Sequence, residues 1–181
     1  PPRSTLFPYT TLFRSEIDDV QQFSHRLDLL IEPLPPPQPG TLAEIVAEAR
    51  AGFAKRFPLC SLAVDGPGES LDHPAANWLA LALGELLANA GRAAGNSGAG
   101  SVEVAWQSEP FLQLVVANNG APFPAGIPVD PPVPFRTAAP SRDGIGLAIV
   151  HRLCLALGMD MLVRTDLPGM TAVILSRKSP T

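Results

Sequence analysis

The stretch at residues 78–94 reads Trp-Leu-Ala-Leu-Ala-Leu-Gly-Glu-Leu-Leu-Ala-Asn-Ala-Gly-Arg-Ala-Ala, and it admits one local structure. At about 100° per residue, Leu79, Leu83, Leu86, Leu87 and Ala90 fall on one apolar stripe, so the segment is a helix that buries that stripe. Glu85, Asn89 and Arg92 stand at i, i+4 and i+7 and share a second face. Taken alone, that line of acid, amide and guanidinium reads equally as the solvated side of a surface helix. What surrounds it in the chain decides between the two.

The 181 residues suffice for one domain with a proper core and a short extension. A hydrophobic content of 46% against 17% charged residues is that of a globular chain. The net charge of −4, with no basic block, gives a nucleic-acid partner no electrostatic support. No apolar run reaches the roughly 18 residues that a membrane span needs. Cys60 and Cys154 have neither metal-ligand spacing nor a disulfide framework, which suits reduced thiols in a cytosol.

Residues 5–15 are similar to the direct translation of a common sequencing-adapter oligonucleotide, so residues 1–15 are set aside as non-native and a native N-terminal part is expected to be missing. Residues 16–34 form a helix, with Val20, Phe23, Leu27, Leu30 and Ile31 at helical spacing. Pro33 and the Pro35-Pro36-Pro37-Gln38-Pro39-Gly40 run end it in a stiff extended linker. The segment 16–40 thus reads as a helix end plus linker, and 41–178 as the folded domain.

Thr41 with Glu44 makes a capping box for a helix to about residue 57, carrying Leu42, Ile45, Val46, Ala49 and Phe53 on one side. A short strand at 60–64 and a turn at Gly66-Pro67-Gly68 precede the central helix, which stops at Gly95-Asn96-Ser97-Gly98. Val102, Val104 and Trp106 alternate with polar residues, and 111–117 is a second apolar strand, so the two form a hairpin joined at Glu109-Pro110. A long loop follows from Asn118 to Asp143, interrupted by Pro122, Pro124, Pro128, Pro131, Pro132, Pro134 and Pro140. No ordinary helix tolerates those prolines, and so long a loop in a compact domain is functional or mobile. A helix from Gly146 buries Leu147, Val150, Leu153, Cys154 and Leu157 and closes at Gly158; strands at 161–164 and 171–175 end the domain. The order predicts an α+β fold: a two-layer sandwich in which helices cover one face of a mixed, mostly antiparallel sheet.

Glu85-x-x-x-Asn89-Ala-x-Arg92 resembles the N box of the superfamily that includes sensor histidine kinases, the Hsp90 chaperones and type II topoisomerases. Val115-Val116-Ala117-Asn118-Asn119-Gly120 resembles its G1 box, Asp143-Gly144-Ile145-Gly146-Leu147-Ala148 its G2 box, and Pro168-Gly169-Met170-Thr171 its Gly-x-Thr. Pro134-Phe135 stands where histidine kinases carry an F box. The likeness spans about residues 41–176, with the boxes in the family's order and each on the element it needs. It implies an ATP- and Mg²⁺-binding domain with the histidine kinase fold. Asn89 would hold Mg²⁺ against the phosphates, a sensible role for a hard neutral oxygen. Arg92 would meet phosphate, and Gly144, Gly146 and Leu147 would bring backbone N–H groups to it. Asn118 would meet the adenine at the pocket floor, supported by the Thr171 hydroxyl, and Gly120 of the same box would contact the nucleotide. Glu85 would order the reacting groups by general-base logic or support phosphate geometry.

The chain departs from that pattern in three places. Asn118 replaces the usual acid and so accepts a hydrogen bond without charge. Pro122 takes a G1 glycine position and removes a backbone donor. Arg142 takes the first G2 glycine position, where it either meets phosphate or is a solvated loop charge.

The resemblance implies the catalytic domain of a two-component sensor histidine kinase, a protein kinase that phosphorylates a His on a dimerisation domain for relay to a response regulator. The intact protein would be a homodimer with its catalytic part in the cytoplasm, anchored in the inner membrane by segments outside this chain. His25 lies only ten residues before the Pro-rich linker, too close for an acceptor; it is expected to be an exposed helix residue. His73 and His151 are expected to be structural. The fragment is not expected to phosphorylate itself. Two other readings use the same fold: a serine kinase of the anti-sigma-factor type, and a degenerate module that acts through protein contacts alone.

Overall fold

The computed structural model describes residues 7–67, 71–95, 99–123, 126, 129, 131–137, 143–166 and 170–177. Arg142, Gly68, Asn96-Ser97-Gly98 and Pro168-Gly169 lie outside the described residues. The chain divides into two units at Pro35–Pro36.

The first unit holds helix α1 (Phe7–Ile31). It begins nine residues before the predicted start at 16, inside the segment set aside as non-native. Pro8 is no obstacle, because a first-turn proline lacks only an N–H that the helix leaves unbonded anyway. Of the apolar positions expected to form its stripe, Val20, Phe23 and Ile31 are exposed, at 67%, 38% and 76%, and Leu27 and Leu30 are half-buried.

The second unit contains β1 (Gly40–Thr41), α2 (Leu42–Arg56), β2 (Ser61–Asp65), β3 (Asp72–His73), α3 (Ala76–Gly95), β4 (Ser101–Gln107), β5 (Gln113–Asn118), α4 (Gly146–Leu157), β6 (Met159–Arg164) and β7 (Thr171–Arg177). Five strands form one sheet in the order β2-β4-β5-β7-β6. Only β2 and β4 run parallel, joined through the α3 crossover; the remaining pairs are antiparallel. The predicted α+β sandwich with a mixed, mostly antiparallel sheet is the observed fold.

Register explains which side of the sheet is covered. Val102, Val104, Leu114, Val116 and Leu175 share one face and are buried, while Glu103, Asp160 and Leu162 on the other are exposed. Helices α3 and α4 pack together over the covered face, and α2 lies beside α3. The apolar stripe of α3 is its buried side, with Leu79, Leu83, Leu86, Leu87 and Ala90 at 5% exposure or less. Burying such a side chain contributes about 1.5–3 kcal/mol relative to leaving it in water.

The helix ends follow the residues that bound them. Thr41 Oγ1 accepts from the Glu44 N–H at 3.2 Å, and Glu44 Oε2 accepts from the Thr41 N–H at 3.1 Å, which completes the capping box. The hydrogen bond from the Thr41 hydroxyl holds the Glu44 carboxyl below its usual range. Gly158 ends α4 in the left-handed region at φ 65°.

The two-residue pairing of β1 with β3 was not predicted. It works with a side-chain clamp: Asn77 Oδ1 accepts from the Gln38 N–H at 2.9 Å, and Asn77 Nδ2 donates to the Pro36 carbonyl at 3.0 Å. The Pro-rich run is therefore tied from residue 36 onward to the start of α3.

Candidate functional site

A cavity of about 270 Å³ opens between α3, α4, the covered sheet face and the described part of the 118–143 loop. Its floor is a four-residue patch of two neighbouring strands: Val116 stands opposite Val173, and Asn118 opposite Thr171. The chain builds this patch from strict alternation, since two-residue steps along β5 and β7 return to the same face.

Asn118 and Thr171 are the only buried polar residues among those described, at 6% and 7% exposure. Asn118 Nδ2 and Thr171 Oγ1 are both buried without a hydrogen-bond partner. The expected support of Asn118 by the Thr171 hydroxyl is therefore not made, although register places the two residues side by side. Each such orphan costs on the order of 1–3 kcal/mol, a cost that a polar occupant would remove.

One wall is α3, through Leu86, Asn89, Ala90 and Ala93. Asn89 Oδ1 accepts from Arg92 Nη2 at 2.9 Å, one turn along the helix. Arg92 and Glu85 stand on the same helix face but do not line the cavity. A second wall is the start of α4, through Gly146 and Leu147. The N-cap residue of α4 is Ile145, whose own side chain makes no cap hydrogen bond. Asp143 Oδ1 accepts from the Ile145 N–H at 3.3 Å, which sets the turn into the helix. A helix N-terminus beside a cavity favours an anion.

Gly144 joins the loop to that helix. Its φ is 69°, and a Cβ there would come within 2.9 Å of the Arg136 backbone N. Its carbonyl accepts from the Phe135 N–H at 3.0 Å, and Phe135 itself sits at φ 63°. This closure brings Arg136 and Thr137 to the cavity, together with Pro132 and Val133. Gly120, expected to contact the nucleotide, stands against α3. A Cβ on it would lie 2.1 Å from the Ala93 carbonyl oxygen, and the next residue, Ala121, donates its N–H to that oxygen at 3.3 Å. Gly120 lets the loop cross over α3 instead of lining the cavity.

Of the predicted residues, the cavity gathers Asn89, Asn118, Gly144, Gly146, Leu147 and Thr171. Arg142 lies outside the described residues. Sequence reasoning missed Arg136, Phe123 and Leu86 as lining residues. The signal available for Arg136 was a lone cation directly after Pro134-Phe135; nothing in the sequence reports that Gly144 folds it back. Among the described residues, no group of three or more His, Cys, Asp or Glu side chains is placed to hold a metal. The donor set instead suits an ion carried in by a phosphate ligand, with the single amide oxygen of Asn89 added to it.

A sequence profile of the histidine kinase-like ATPase domain matches residues 40–173. No curated protein sequence matches the chain. Among solved structures, the chain is similar to the mycobacterial sensor histidine kinase MprB, at 21% identity and a TM-score of 0.64, over 77% of this chain and 97% of that one. It is similar to the histidine kinase AdeS of Acinetobacter baumannii at 16% identity and a TM-score of 0.71, over 100% and 87% of the two chains. Full-length ShkA in complex with AMPPNP matches at 16% identity and a TM-score of 0.77, over 98% of this chain and 39% of that one. At these identities the structures establish the fold, and the profile, which spans well over half of the chain, establishes the family: this chain belongs to the histidine kinase-like ATPase domains.

Proposed function

We propose that the cavity binds Mg·ATP and that the chain is the catalytic domain of a sensor histidine kinase. One observation carries the reading: the N-terminal end of α4, at Gly146 and Leu147, and the neutral polar floor of Asn118 and Thr171 meet in one cavity. Phosphate suits the first and a purine base the second. Phe123 and Leu147, which also line the cavity, supply apolar surface for the base.

Asn89 is the residue to hold Mg²⁺ with the phosphates, and its oxygen must then exchange its bond from Arg92. Arg92, released, and Arg136 supply positive charge. Bound Mg²⁺ neutralises developing phosphate charge, and in phosphoryl transfer that neutralisation and the positioning of groups supply most of the acceleration. Glu85, on the same line of α3, orders these groups instead of carrying out bond-making itself. The γ-phosphoryl group passes to a His on a dimerisation domain and onward to a response regulator. The solvent-open stripe of Val20, Phe23 and Ile31 on α1 suits the end of a helix that pairs in a homodimer. None of the described helices is long and apolar enough to cross a membrane. A cytoplasmic site of action follows from the use of ATP and a response regulator.

The test is a thermal melt of the full chain with a non-hydrolysable ATP analogue and Mg²⁺, followed by mixing with a separate His-bearing dimerisation domain and labelled ATP. A raised melting temperature and label on the added domain support the proposal; a melt unmoved by saturating nucleotide sinks it. The rival reading, a module that binds only protein, is favoured by the Arg92 guanidinium already satisfying Asn89, and an unmoved melt would select it.

A further inference from the structure

We infer that the base subsite reads the purine ring through an amide, so that it accepts 6-oxopurine nucleotides as well as adenine nucleotides, with Asn118 as the determinant. The inference rests on the nucleotide reading above and names the substrate class of that same site. Asn118 is 6% exposed, lines the cavity, and has a buried Nδ2 with no hydrogen-bond partner. A buried donor left unmade is costly, so the side chain calls for an acceptor on the occupant. Directly across the strands, Thr171 brings a hydroxyl that is also buried and unpartnered. A hydroxyl donates or accepts according to how it rotates.

The patch carries no charge, and Val116 and Val173 complete it as the next cross-strand pair. That is a surface for the edge of a flat, neutral ring. A purine held there differs between nucleotides at position 6, where an amino group donates and an oxo group accepts. A carboxylate at position 118 would only accept; it would pair with the amino group and repel the oxo group. The Asn118 amide has an acceptor at one end and a donor at the other, and a half-turn of its terminal torsion exchanges them within the same volume. Thr171 adjusts in the same way. Fixed acceptors make a site discriminate strongly, because the wrong ligand leaves buried groups unpaired; this pair avoids that penalty for both purines.

The experiment is calorimetric titration of ADP and of IDP, which has the 6-oxo group and no 2-amino group, into the full chain and into Asn118→Asp. The expected result is affinities within about fivefold for the full chain, and a preference for ADP of at least about tenfold in Asn118→Asp. A native chain that favours ADP by about thirtyfold or more overturns the inference, as does an Asn118→Asp variant with the native ratio. Should that variant not fold, Asn118→Ala serves: weakening both nucleotides alike supports the inference, and weakening ADP alone overturns it. If the folded native chain binds neither nucleotide, the nucleotide reading itself fails and the inference falls with it. Binding of ADP with rejection of IDP sinks the inference alone.

Discussion

Asn118 and Thr171 face each other across β5 and β7, and both bury a side-chain polar atom with no partner. Two adjacent orphans on the floor of a cavity carry a cost that a polar ligand would remove. Thr171→Val removes one of them with little change of shape. The variant should be as stable as the native chain or about 1 kcal/mol more stable in urea unfolding, while binding nucleotide less well. A loss of about 1 kcal/mol or more without nucleotide would show that the hydroxyl has a partner in the empty state.

Gly144 holds the loop against α4 at φ 69°, with no room for a Cβ beside Arg136. Gly144→Ala should cost about 1–3 kcal/mol, measured by chemical unfolding, and weaken nucleotide binding because Arg136 and Thr137 move with the turn. A neutral effect on both would mean that the Phe135–Gly144 closure is not maintained in solution.

These two positions show what the sequence made legible. The central helix, the Thr41 capping box, the glycine end of α4 and the alternating hairpin could all be read, because each is written in local periodicity or in one cap. The floor residues Asn118 and Thr171 could be named only through resemblance, since their adjacency is a strand register across more than fifty residues. The β1–β3 pairing is two residues long and leaves no period to detect. The close approach of Gly120 to the Ala93 carbonyl was not legible, because a glycine required by a backbone crossing looks the same in sequence as one required by a ligand. Arg136 was missed because its position depends on a long-range turn.

His73 Nδ1 accepts from the Ala75 N–H at 3.1 Å just before α3, and burial, helped by the charge of Arg177, pushes its pKa below the usual 6.5. The unfolded chain therefore takes up a proton at a higher pH than the native one does. The stability tied to neutral His73 is complete above about pH 6.5 and is lost as pH falls from there toward the lowered native value. Melting temperature should drop between pH 7.5 and 5.5, and His73→Asn should flatten that slope while lowering stability at pH 7.5. An unchanged slope would exclude this coupling.

Cys154 is buried, and burial, together with the Asp160 charge, pushes its thiol up to about 12. Cys60 is half-buried and raised by desolvation. At pH 8 one thiol should react with a disulfide reagent in the native chain, at Cys60, and the second only after denaturant is added. Two equally fast thiols would contradict the packing of α4.

The central claim is that Asn89 holds a metal-bearing nucleotide in the cavity. Calorimetric titration of ATP into the full chain, with and without Mg²⁺ and beside Asn89→Ala, tests it most directly. The account predicts binding that Mg²⁺ strengthens in the native chain, and an Asn89→Ala variant that is about tenfold weaker and largely blind to Mg²⁺, in line with losing one ligand of the ion. Absence of binding by a folded sample, or a variant with native Mg²⁺ dependence, would contradict it.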